Sequence, residues 1–163
     1  MKSKKALIPG TFDPVTRGHL AIIEAAAALF DEVTVCILIN PEKHCMFDEA
    51  TRMEALKAAV KGLDNVTIAS CHGMTADYAK EIGADAIVRG IRNEKDTAYE
   101  LEMADFNLRR TGVRTVFFPA PRELCALSST KAREKLLSGE MPDTSLPVGV
   151  LDILKNEKRD GAD

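Results

Sequence analysis

No apolar run in this chain of 163 residues reaches the ~18–20 residues that a membrane-spanning helix needs, so no such helix is expected. Positive charge is not in excess. Lys+Arg number 22 against 25 Asp+Glu, a formal net charge of −3, which argues against bulk binding of nucleic acid or of an anionic membrane. The four cysteines, Cys36, Cys45, Cys71 and Cys125, include no C-x-x-C pair. Neither His44-Cys45 nor Cys71-His72 has the spacing of a standard zinc motif. The expectation is four reduced, mostly buried thiols in a cytoplasmic protein with no protein-held metal site. The basic start, Met1-Lys2-Ser3-Lys4-Lys5, meets Pro9 and Gly10 too soon to read as a signal peptide. Internal repeats and low-complexity segments are absent. Absent too are G-x-x-x-x-G-K-[ST], G-x-G-x-x-G, G-x-S-x-G and H-E-x-x-H. Their absence excludes a Walker phosphate loop and weakens dinucleotide redox chemistry, serine-elbow hydrolysis and zinc proteolysis.

What the chain does contain is a regular alternation of strand-like and helix-like segments. Strands are expected over residues 5–8, 33–39, 66–69, 86–88 and 115–118. The second is a near-continuous β-branched and apolar run, as in a strand buried on both faces. Helices are expected over 19–30, with Leu20, Ile23, Ala27 and Phe30 on one face, over 48–61, 75–82 and 97–110, from Ser128 or Ser129 to Gly139, and from Pro147 onward. This implies one domain over residues 1–155 and a polar, frayed tail over 156–163. The fold class is α/β: a Rossmann-like, doubly wound, five-stranded parallel sheet with helices on both faces. Ligands of such sheets bind outside the carboxyl ends of the strands, near a switch point. The residues following those ends include Thr11, Lys43, Thr75, Arg89, Arg92 and the segment 119–129. An acidic chain thus carries a cationic, hydroxyl-rich set at its binding edge.

Within that set, Thr16-Arg17-Gly18-His19 follows the turn Pro9-Gly10-Thr11-Phe12-Asp13-Pro14 and opens a helix. A helix N-terminus attracts phosphate, Gly18 allows close approach, and His19 adds a hydrogen-bond donor. Arg89-Gly90-Ile91-Arg92 puts two guanidinium groups directly after the fourth strand, and the glycine between them favours phosphate clamping over solvated arginines. Ser128-Ser129-Thr130 can cap a helix and also bind a second anion. Lys43 lies in a loop from which an ammonium can follow a phosphate.

These segments together resemble the bacterial phosphopantetheine adenylyltransferases, within the T/H-x-G-H nucleotidyltransferase superfamily, from about residue 5 to 154. Thr16-x-Gly18-His19 and Leu127-Ser128-Ser129-Thr130-x-x-Arg133 are similar to the two superfamily motifs. Residues 9–14, Asn40-Pro41 with Lys43 and Phe47, and 88–92 followed by Tyr99-Glu100 narrow the resemblance to the one enzyme. It implies adenylyl transfer from ATP to 4′-phosphopantetheine, giving dephospho-coenzyme A and pyrophosphate in coenzyme A biosynthesis. It assigns His19 as transition-state stabiliser. Thr11, Phe12, His19, Gly90, Ile91, Arg92, Glu100, Leu124, Cys125, Ala126, Leu127, Ser128, Ser129 and Thr130 would bind ATP. Thr11, Lys43, Thr75 and Arg89 would bind phosphopantetheine. Mg²⁺ would ride on the ATP phosphates and water. The resemblance further implies a homohexamer and feedback inhibition by coenzyme A. Leu124 stands where the family often has an aromatic residue, and Cys125-Ala126 departs from the common loop. Two alternatives follow from the residues: a nucleotidyltransferase with another acceptor, such as nicotinamide mononucleotide or a cytidine nucleotide, and a nucleotide-binding regulatory module without catalysis. Thr16 at the head of the first motif favours phosphopantetheine over the first, and the joint presence of His19, Lys43, Arg89 and Arg92 argues against the second.

Overall fold

The computed structural model describes residues 1–142 and 144–160. Five strands, β1 (Lys5–Gly10), β2 (Glu32–Leu38), β3 (Val66–Cys71), β4 (Ala86–Ile91) and β5 (Arg114–Pro119), form one parallel sheet in the order β3-β2-β1-β4-β5. Helices α1 (Arg17–Leu29), α2 (Glu49–Ala59), α3 (Thr75–Glu81) and α4 (Glu94–Thr111) make the crossovers. A short turn of 3-10 helix (Arg122–Leu124), α5 (Ser129–Ser138) and α6 (Val150–Asp160) follow. Alternation along the strands divides the core. Ala6, Ile8, Val35 and Ile37 face a cluster that takes in Ile22, Ile23 and Ala26 of α1, Leu56 of α2 and Val150 and Leu154 of α6. Leu7, Cys36 and Ile87 face the other side, with Cys71 and Ala79.

The order reverses between β1 and β4. β1 pairs with β2 over six register positions, but with β4 only at Ala6–Ala86 and Leu7–Ile87. Beyond those pairs the two strands part, and a crevice opens at their carboxyl ends, where open α/β sheets bind ligands.

Several boundaries differ from the sequence expectation. β4 continues through Ile91, so Arg89 and Gly90 are strand residues rather than the loop after it. A Cβ placed on Gly90 would come within 2.9 Å of Ile22 Cγ1, so α1 packing requires this glycine, and phosphate clamping is not needed to explain it. The buried face of α1 is Ile22, Ile23 and Ala26, one step from the expected stripe. α4 begins a turn early because the Asn93 side chain accepts the Asp96 N–H at 2.9 Å. α6 starts at Val150, past Pro147, and runs to Asp160, so it takes in residues 156–160 of the expected tail; 161–163 lie outside the described residues. The four cysteines are free thiols; Cys36 and Cys71 are buried, Cys45 and Cys125 only partly so. No helix among the described residues is long and apolar enough to cross a membrane.

Candidate active site

The crevice is a cavity of about 420 Å³ at the parting of β1 and β4. Thr11, Phe12, His19, Lys43, Arg89, Gly90, Arg92, Glu100, Leu127, Ser128, Ser129 and Thr130 all line it. Thr75, Ile91, Leu124, Cys125 and Ala126 do not. Thr75 heads α3 at the end of the edge strand β3, and the backbone carbonyl of Leu124 lies 3.9 Å from a Cβ built on Gly18.

β1 ends in a tight change of direction. Phe12 takes φ +50°, unusual for a bulky side chain, and its ring is buried edge-on to His19 at a centroid distance of 5.1 Å. Gly10 leaves the room, since a Cβ there would meet Phe12 Cζ at 2.8 Å. Thr16 then caps α1. Its Oγ1 accepts the His19 N–H at 3.4 Å, and its own N–H donates to His19 Nδ1 at 3.0 Å. With Nδ1 accepting an amide proton, the neutral ring carries its own proton on Nε2. Burial, and secondarily the guanidinium groups of Arg89 and Arg92, hold the His19 pKa down to about 4. At neutral pH His19 is therefore an uncharged donor.

The first-turn amides of α1 are almost all taken. Arg17 N–H donates to Ser145 O at 2.9 Å and Leu20 N–H to Thr16 O at 3.0 Å. Gly18 N–H alone has no partner among the described residues. A Cβ built on Gly18 would make only ordinary contact, with Thr16 Oγ1 at 3.5 Å, so folding does not demand glycine there.

The cations are braced. Arg89 donates Nε and Nη2 to both carboxylate oxygens of buried Glu100, at 2.9 and 2.7 Å, and Nη1 to Pro9 O at 2.6 Å. This closes the Pro9 carbonyl that the parted strands leave open, and two of the five guanidinium N–H groups remain for a ligand. Arg92 binds Asp96 at 2.9 Å and Leu127 O at 3.0 Å, joining β4 to the 124–130 segment. Lys43 Nζ donates to Thr11 Oγ1 at 3.2 Å. Ser128 caps α5, and Ser129 Oγ donates to Pro14 O at 2.8 Å.

Sequence reasoning gave no role in the site to four residues that build it. Buried Arg52 donates Nη1 to Thr11 O at 2.9 Å. Arg133 donates Nη1 to Asp13 O at 2.7 Å, and buried Asp13 accepts two amides from the Lys43 loop. His44 also lines the cavity. Arg133 stood in the second motif, Asp13 in the 9–14 stretch and His44 beside Cys45, but nothing in the sequence gave their partners.

The chain matches the cytidylyltransferase-like family over residues 7–135. It is 38% identical over 161 residues to phosphopantetheine adenylyltransferase from Bifidobacterium longum, covering 94% of this chain and 96% of that one. It is 42% identical over 154 residues to the Pasteurella multocida enzyme of the same name, covering 94% and 98%. A solved structure of a candidate nicotinate-nucleotide adenylyltransferase from Vibrio parahaemolyticus superposes with a TM-score of 0.75 over 96% of this chain and 94% of that one. At 22% identity that likeness speaks for the fold alone. By sequence match over nearly its whole length, this chain belongs to the cytidylyltransferase-like family and, within it, to the phosphopantetheine adenylyltransferases.

Proposed function

We propose that the chain transfers the adenylyl group of ATP to 4′-phosphopantetheine, giving dephospho-coenzyme A and pyrophosphate. The observation that carries this reading is the convergence of Thr11, His19, Lys43, Arg89, Arg92 and Ser128–Thr130 on one cavity at the sheet's switch point. A phosphomonoester oxygen attacks the α-phosphorus. The new O–P bond forms as the bond to the β-phosphate oxygen breaks, and pyrophosphate leaves with the electron pair. A phosphomonoester is largely ionised at neutral pH, so no base is needed. The uncharged state of His19 fits such a reaction, because it serves as a donor to the developing oxyanion rather than as a proton acceptor. Gly18 N–H, with no partner among the described residues, is available to the same anion. Arg89 and Lys43 hold the acceptor phosphate beside Thr11, and Arg92 with the α5 N-terminus holds the nucleotide.

The cavity carboxylates fit a magnesium ion brought in on the nucleotide. Glu100 is committed to Arg89, Asp96 to Arg92, and Asp13 to two amides, which leaves phosphate oxygens and water as the ligands. Such an ion would offset negative charge on the polyphosphate. Thr75, Ile91, Leu124, Cys125 and Ala126 would reach substrates at the outer ends of this cavity, Thr75 through the pantetheine arm. Assembly as a homohexamer, feedback inhibition by coenzyme A and a cytoplasmic location belong to the same reading. The test is pyrophosphate release from ATP with 4′-phosphopantetheine, nicotinamide mononucleotide or a cytidine nucleotide as co-substrate. Release with the first alone is expected. Release with another acceptor reassigns the substrate, and ATP binding without turnover makes the chain a regulatory module.

A further inference from the structure

Asp13 lies at the meeting point of three parts of the site and has not been assigned a role in it. The residue is 5% exposed. Oδ2 accepts the Met46 N–H and Oδ1 the Phe47 N–H, each at 2.9 Å. Its backbone carbonyl accepts Arg133 Nη1 at 2.7 Å, and Arg133 also lies 3.8 Å from Oδ2. One residue thus ties the 40–47 loop, which carries Lys43, to the turn after β1 and to α5. Charged acceptors form the stronger class of amide hydrogen bond, and a buried carboxylate with two such bonds has little freedom. Phe47 is buried, whereas Lys43 and His44 are exposed, so the loop is fastened at its far end and open to solvent at its cationic tip.

We propose that Asp13 is a positioning residue. By clasping the Met46 and Phe47 amides, it sets where Lys43 stands over Thr11, and so tunes capture of the acceptor phosphate more than that of ATP. This rests on the proposed function, in which Lys43 and Thr11 meet the acceptor.

The test is Asp13→Asn. An amide keeps the shape but offers one acceptor oxygen, and its NH₂ faces a second N–H. KM for 4′-phosphopantetheine should rise about tenfold, in keeping with loss of one charge-assisted bond, while the dissociation constant of ATP alone stays within about twofold. Circular dichroism should report a folded chain. Amide exchange should speed up at Met46 and Phe47. An unchanged acceptor KM, or an equal weakening of both substrates, overturns the proposal, since a merely structural role would act on both. If the variant does not fold, exchange in the wild type decides. Slow amides at Met46 and Phe47 beside fast ones at His44 and Cys45 sustain the clasp, and uniform exchange across 44–47 overturns it. A wild-type chain that fails to adenylylate 4′-phosphopantetheine refutes the proposed function instead, and the exchange pattern still reads the clasp.

Discussion

The neutral state of His19 can be tested without any substrate. Its pKa is held at about 4 in the folded chain, against 6.5 for an ordinary histidine. As pH falls, the unfolded chain takes up this proton first, so folding stability is lost from about pH 6.5 downward and levels off near pH 4. Between pH 7 and pH 5 those two values give a loss of about 2 kcal/mol from this one group. The perturbation is His19→Gln, which keeps a donor and removes the titration. Urea unfolding of both proteins at pH 7, 6 and 5 reads the difference, and the other two histidines cancel in the comparison. Wild type should lose about 2 kcal/mol relative to the variant across that span. A gap that stays constant would mean that the ring titrates normally, and the argument for an uncharged donor would fall with it. The same logic makes the turnover of wild type flat from pH 8 to pH 6 with respect to His19.

Other outcomes follow from the same geometry. His19→Ala should lower kcat by about 10²–10³ with little change in either KM, as expected for a donor used in the transition state; a wild-type kcat would remove it from the mechanism. Gly18→Ala should leave the melting temperature unchanged or higher, because a Cβ makes only ordinary contact with Thr16 Oγ1 at 3.5 Å, yet should weaken ATP binding in calorimetry. Gly90→Ala should do the reverse and destabilise the fold by about 1–3 kcal/mol through Ile22, measured by chemical denaturation. Glu100→Ala should cost about 3 kcal/mol of stability and raise the acceptor KM, because the Arg89 guanidinium loses both oxygens that orient it.

Much of the fold was readable because its signals are local. The β-branched run before Asn40 and the helix caps at Asp48 and Ser128 depend on neighbours within a few residues. The switch point followed from the alternation of strands and helices, and the T-x-G-H segment marked one wall of the cavity. The braces were not readable. Asp13 finds its amide partners 33 and 34 residues away, Arg52 reaches 41 residues to Thr11, and Arg133 reaches 120 residues to Asp13. No periodicity encodes such pairings. Gly90 was informative for a reason the sequence could not supply, the approach of Ile22 from another element. Strand ends were set short at Ile8 and Val88 because glycine and proline read as turns, whereas here they continue strands that have lost a neighbour.

That lost neighbour gives the molecule a sheet edge on its inside. Past Leu7 and Ile87 the facing backbones of β1 and β4 no longer form a ladder, and Arg89 occupies only the Pro9 carbonyl. Exposed edges on a protein's rim invite other chains to add a strand. Here the vacancy faces the cavity, spans Ile8–Gly10 of β1 and Val88–Ile91 of β4, and leaves main-chain groups that a ligand can meet in the position of a missing strand. Recognition through main-chain groups of this kind survives side-chain replacement. It would yield only to changes that move β1 relative to β4.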